Sequence, residues 1–172
     1  NLFLVRNPAI GNSGFGDTGE TIVSLGKSLL VAYQGNLPEH GTIASAIGIS
    51  TAWRKNARSE DFVTNGFQGR PSDGIEDLKK NGAMTQNFDL ASDGNITQMG
   101  HIDLKGRSNE LFDVVMAFAS DNSPTGVDNA KKAAVLTVND VLASDLNALQ
   151  ARYIAGWKNY TGSLDTQKGT AD

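Results

Sequence analysis

Up to about residue 120 the apolar positions fall in short runs, rich in β-branched and aromatic residues and separated by clusters of Gly, Asn, Asp and Ser. This pattern predicts strands at Leu2 to Arg6, Ser28 to Gln34, Thr42 to Ile49, Phe62 to Gln68, Met84 to Leu90, Ile96 to Leu104 and Leu111 to Ala119. The last, "LFDVVMAFA", is nearly continuous in apolar residues, as in a strand covered on both faces, whereas "MTQNFDL" is sparser and reads as half exposed. A packed partner layer is therefore expected. Turn signals at "QGN", "NGF", "PSDG", "NG", "SDGN" and "KGR" supply residues that tolerate positive φ, and they predict hairpins at Asn81-Gly82 and Asp93-Gly94.

After "SDNSPTG" the period changes from that of strand to that of helix, with no glycine between Gly126 and Gly156. One helix is predicted from about Asp128 to Leu142, with Ala130, Ala134, Val138 and Val141 on one face. A second starts at Ser144 as N-cap and carries Leu146, Leu149, Tyr153, Trp157 and Tyr160 as a sustained apolar stripe that must bury itself against something. The tail "TGSLDTQKGTAD" is small and polar, so it reads as a linker or a frayed end. The expected organisation is a β portion over 1–120, a helical linker over 121–162 and a flexible tail over 163–172.

With 172 residues, 39% hydrophobic and 20% charged, the chain has the size and composition of one ordinary globular domain. No run approaches the roughly 20 apolar residues of a membrane-spanning helix, so no membrane partner is expected. Net charge is -4 with scattered basic residues, which leaves no footprint for nucleic acid. The absence of cysteine removes disulfides, thiolate zinc sites and cysteine nucleophiles. The opening "NLFLVRNPAI" has no initiator Met and no leader pattern; it reads as a strand, so the sequence is expected to be part of a longer protein.

Candidate chemistry begins with "GNSGFGDTGE", where Gly14, Gly16 and Gly19 match the dinucleotide spacing G-x-G-x-x-G. That fingerprint requires a strand leading directly into the turn and a helix opening on the last glycine. Here polar residues intervene after "LFLV", and "ETIVSLGKSLLVAY" follows with strand-like runs, so a loop between strands is the better reading. "GNSGF" lacks the second glycine of a nucleophile elbow, and His40 and His101 lack metal-ligand spacing. "SDGIEDL" and "SDGN" cluster acids that would attract calcium, but the D-x-[DN]-x-[DN]-G spacing is absent and Asp-Gly turns explain them more simply. No cofactor is expected, with calcium the one alternative. Phe15, Tyr33, Trp53 and Phe67 are the aromatics available to stack on sugar, and Trp53, flanked by Arg54 and Lys55, is expected to be only partly buried.

Four segments in order, "LFLVRNPAIGNSGFGDTG", "KSLLVAYQG", "NGFQGRPSDGIEDLKKNGAMTQNFDLASDGNITQMGHIDL" and "LQARYIAGWKNY", resemble the second half of the N-terminal β-sandwich domain of bacterial glucoamylases and glucodextranases, of glycoside hydrolase family 15. The resemblance implies a mainly β fold, part of an antiparallel, galactose-mutarotase-like supersandwich, followed by a helical linker into an (α/α)6 barrel. In the family that barrel carries the two glutamates that hydrolyse terminal α-glucosidic bonds with inversion, so no catalytic residue is assigned to this chain. The resemblance also implies a secreted or periplasmic parent enzyme. The expected partner is the remaining chain or a cleaved fragment of the same enzyme, comprising the first half of the sandwich and the barrel, with α-glucan met only indirectly. Asn12, Phe15, Asp17 and Trp53 are the candidate interface or sugar contacts, and Leu149, Tyr153, Trp157 and Tyr160 the helix-docking residues. The alternative is a stand-alone carbohydrate-binding β-sandwich.

Overall fold

The structure, a computed structural model, describes residues 1–10, 16–38, 41–50, 62–107 and 111–165. Its strands are β1 (Leu2–Arg6), β2 (Asp17–Ser24), β3 (Lys27–Leu37), β4 (Gly41–Ile49), β5 (Phe62–Phe67), β6 (Leu90–Gly94), β7 (Ile96–Ile102) and β8 (Val114–Asp121). Its helices are α1 (Gly74–Asn81), α2 (Gly126–Leu142) and α3 (Leu146–Asp165). The strands form two sheets, one of three in the order β1-β7-β5 and one of five in the order β6-β2-β3-β4-β8. Every pairing is antiparallel.

Side-chain alternation sorts these strands into layers. Leu30, Ile47 and Ile49 of the larger sheet face Leu4, Val63 and Ile102 of the smaller one. The opposite face of the larger sheet offers Leu29, Val31, Ala46 and Ala117 to Ala134, Val135 and Val138 of α2. The outer face of the smaller sheet holds Phe62 and Met99 against Phe3, Met84 and, from α1, Ile75 and Leu78. The result is a sandwich with a helix on each outer face, mainly β as expected. Helix α2 is thus a layer of the sandwich and not a linker.

Two of the glycines demanded by close approach seat the layers on one another. A Cβ on Gly19 would sit 2.9 Å from Ile96 Cδ1 and 3.1 Å from both Asn65 Oδ1 and Gln98 Nε2, between the sheets. One on Gly48 would sit 2.6 Å from Leu29 Cδ2 and 3.0 Å from Val138 Cγ1, so α2 lies flush on the sheet only because position 48 has no side chain.

Four expectations need correction. Asn81-Gly82 is a helix end, not a hairpin: Asp73 caps α1 by accepting from the Ile75 amide at 2.9 Å, and Gly82 closes it in the left-handed region at φ 67°. Asp93-Gly94 is not a hairpin either, because β6 and β7 lie in different sheets and the chain crosses between them at Asn95. The tight hairpin is Leu25-Gly26, joining β2 to β3 with φ of 51° and 75°. The strand expected over Met84 to Leu90 is a strap whose backbone is held by side chains. The Asp77 carboxylate accepts from the Thr85 and Gln86 amides, the Phe88 amide donates to Thr64 Oγ1, and Asn65 Nδ2 donates to the Phe88 and Asp89 carbonyls. Asp145, and not Ser144, caps α3, accepting from the Asn147 amide at 2.9 Å, while Ser144 Oγ donates back to the Asp140 carbonyl.

Candidate functional site

Between the sheets lies a polar chain among apolar neighbours. Arg6 shares the inward phase of β1 with Leu2 and Leu4, which carries its guanidinium across the gap. Nε donates to Gln98 Oε1 at 2.7 Å, Nη1 to Ser45 Oγ at 3.0 Å and Nη2 to the Leu30 carbonyl at 2.8 Å. Gln98, fully buried, donates to the Val31 carbonyl at 3.0 Å and to Asn65 Oδ1 at 2.6 Å. Asn65 continues to Thr21 Oγ1 at 2.9 Å. Every acceptor of Arg6 is neutral, and burial pulls its pKa down to about 10, which leaves it charged at neutral pH.

The two sheets do not cover one another completely. Strand β1 is the last of the smaller sheet, and it lies opposite β4, where Arg6 reaches Ser45. Among the described residues the smaller sheet has no strand beyond β1 to lie opposite β8, the next strand out. Its inward row, Val114, Met116 and Phe118, is 49%, 53% and 63% exposed. The gap is a groove of about 490 Å³ whose lining includes Arg6, Pro8, Ile10, Ile43, Met116 and Phe118.

A second open surface runs along α3. Tyr153, Trp157 and Tyr160 stack edge to face, with ring centroids 6.2 and 5.8 Å apart, and stand 52–66% exposed. All residues from Ala151 to Leu164 are exposed, and Leu149 is half-buried. The apolar stripe read from the sequence is real as a face, but it is not docked on the sheets of this chain.

Of the other expected contacts, Asn12, Phe15 and Trp53 lie outside the described residues. Asp17 is fully buried at the start of β2, where it accepts from the Ile10 amide at 3.3 Å and so fastens the loop base instead of presenting a surface. The acids of "SDGIEDL" serve α1 and the strap: Asp73 caps, and Asp77 is a buried acceptor. Burial pushes Asp77 up, but hydrogen bonds from Thr85, Asn81 and Gln86 outweigh it and hold it below the usual carboxylate range. Among the described residues no three His, Cys, Asp or Glu side chains form a group able to hold a metal ion, and no helix is long and apolar enough to cross a membrane. Arg6 was not singled out from the sequence. The signal for it was its phase, a cation at an inward position of an otherwise apolar strand.

No curated relative matches the sequence. Among solved structures, the chain is similar to a bacterial glucoamylase crystallised in complex with acarbose, at 25% identity and a TM-score of 0.66. The match takes in 92% of this chain but only 20% of that one, so the chain spans about a fifth of the glucoamylase. The family described as glucodextranase, domain N, matches residues 1–162, nearly the whole sequence, with the sandwich, its open groove and the aromatic residues of α3 inside the match. The chain belongs to the glucodextranase N-domain family.

Proposed function

We propose that this chain is the non-catalytic N-terminal domain portion of a bacterial glucan glucohydrolase of the glucoamylase and glucodextranase type, supporting a catalytic barrel that lies outside it. The carrying observation is the aromatic face of α3, which is large, apolar and uncovered by the sandwich. On this reading α3 is the interface to the barrel, where hydrolysis of terminal α-glucosidic bonds takes place. A second surface uncovered among the described residues, β8 with the outer edge of β1, supports a further element: strands of the same protein, continuous or cleaved, that extend the smaller sheet.

The test is made in the longer enzyme. Trp157→Ser is expected to split one calorimetric unfolding transition into two and to lower the temperature at which glucose release is lost, while the isolated chain releases no glucose from maltose. A single unchanged transition would refute the interface. The same face would also suit sugar stacking; maltooligosaccharide affinity of the isolated chain, lost in Trp157→Ser, would favour the carbohydrate-binding alternative.

A further inference from the structure

The groove at β1 and β8 has a chemical character that specifies its occupant more closely. Its apolar wall is the inward row of β8, at a spacing of two residues, which matches the inward row of an added strand. Its other wall is the outer edge of β1, whose one strand partner among the described residues is β7, so that this edge can take a further strand. At the junction of the walls stands Arg6, a guanidinium held between the sheets by Gln98, Ser45 and Leu30, all neutral acceptors. No acid among the described residues forms an ion pair with it. Buried cations are ordinarily paired, because a neutral surrounding recovers only part of the lost hydration.

We propose that the groove receives an extended segment of the parent protein that adds antiparallel to β1, lays alternate apolar side chains over Val114, Met116 and Phe118, and presents one carboxylate to Arg6. This rests on the chain being part of a larger enzyme, and it adds what the earlier reading leaves open: which charge the completing strand carries and where. The apolar row provides affinity, and Arg6 fixes register, since a slip of one residue turns the acid out of the groove.

Three blocked octapeptides of alternating valine and threonine, with Asp, Asn or Lys at one inward position, serve as probes for the 172-residue chain. The Asp peptide is expected to bind at least ten-fold more tightly than the Asn peptide, and the Lys peptide most weakly. Arg6→Gln should bring the Asp and Asn peptides to equal affinity, whereas Arg6→Lys should keep their order. The same comparison is read as refolding yield by circular dichroism, so a chain that folds poorly alone still reports, the Asp peptide raising the yield most. Equal effects of the Asp and Asn peptides, or no effect of any, would overturn the proposal. Neither result touches the α3 interface, which is read separately through Trp157.

Discussion

Helices α2 and α3 are joined by three residues, both carry an apolar stripe at helical spacing, and one is a buried layer while the other stands in the open. The difference lies in side-chain size. The inward face of α2 is Ala130, Ala134, Val135 and Val138, which lets its axis come down on Ala46, Gly48 and Ala117. The stripe of α3 is Tyr153, Trp157 and Tyr160, too bulky for such a flush approach, and it stands exposed. Polar contacts follow the same division. Lys131 of α2 reaches Glu20 of β2 at 2.8 Å and lies 4.8 Å from the Tyr33 ring centroid, and Asn139 Nδ2 donates to Ser24 Oγ at 2.8 Å. Burial pushes the Lys131 ammonium down, but its bond to the Glu20 carboxylate outweighs this and holds it above its ordinary value. The small-residue helix closes its own domain, whereas the aromatic one stays exposed and, on the function proposed above, meets a surface from elsewhere.

The comparison breaks most severely if a charge enters the α2 contact. Val138→Asp places an unpaired carboxylate where no water reaches, and a loss of about 4 kcal/mol in denaturant unfolding is expected. Ala134→Leu tests the size argument directly. It keeps the apolar character but forces α2 off the sheet, at a cost of about 2 kcal/mol, with the native fold retained by circular dichroism. If Ala134→Leu were neutral, small size would not be what seats α2.

Helix α1 sharpens the contrast from a third side, since it holds its neighbour through a carboxylate. Asp77→Asn should cost about 2 kcal/mol by weakening the bonds to Thr85 and Gln86. The folded-state pKa of Asp77 is lowered, so its contribution is fully present above the unfolded value of about 4 and is lost as pH falls through the folded value below that. Wild-type stability should therefore decline more steeply than that of Asp77→Asn on acidification below about pH 4, measured by urea titration.

Which parts were legible follows from where the information resides. The cores of β3 and β4 were plain in the sequence because their runs are apolar at inward and outward positions alike, while β5 and β7 were marked by apolar residues at their ends, Phe62, Val63 and Phe67, and Ile96 and Ile102. Strand β2 was harder, since "DTGETIVS" is polar where it crosses the sheet and its Gly19 reads as loop until Ile96 and Gln98 are seen against it. Helix α1 had a readable signature, Asp73 with Glu76 three residues on and Gly82 just past the end, but the same letters also spell turns. The strap after it was not readable, because its backbone is satisfied by Asp77, Thr64 and Asn65 and not by a ladder of its own. Arg6 was missed because an arginine in a strand is ordinarily an outward residue; its bonds to Ser45 and Leu30 of the facing sheet show it turned inward.

The smallest expected effect bears most directly on function. In the isolated chain Trp157 is 52% exposed, and its aromatic partners among the described residues are Tyr153 and Tyr160 of its own helix, so Trp157→Ser removes an edge-to-face pair on each side and little burial. The sandwich should keep its stability to within about 0.5 kcal/mol, as at other exposed positions. Only the helical signal of α3 should fall slightly, because each i,i+3 or i,i+4 ring pair contributes about 0.2–0.5 kcal/mol to the helix. A loss of several kcal/mol from the isolated chain would show that Trp157 is buried against this sandwich after all, and would erase the distinction between the two helices. A silent change in the isolated chain, combined with a large one in the longer enzyme, locates the missing burial outside residues 1–172.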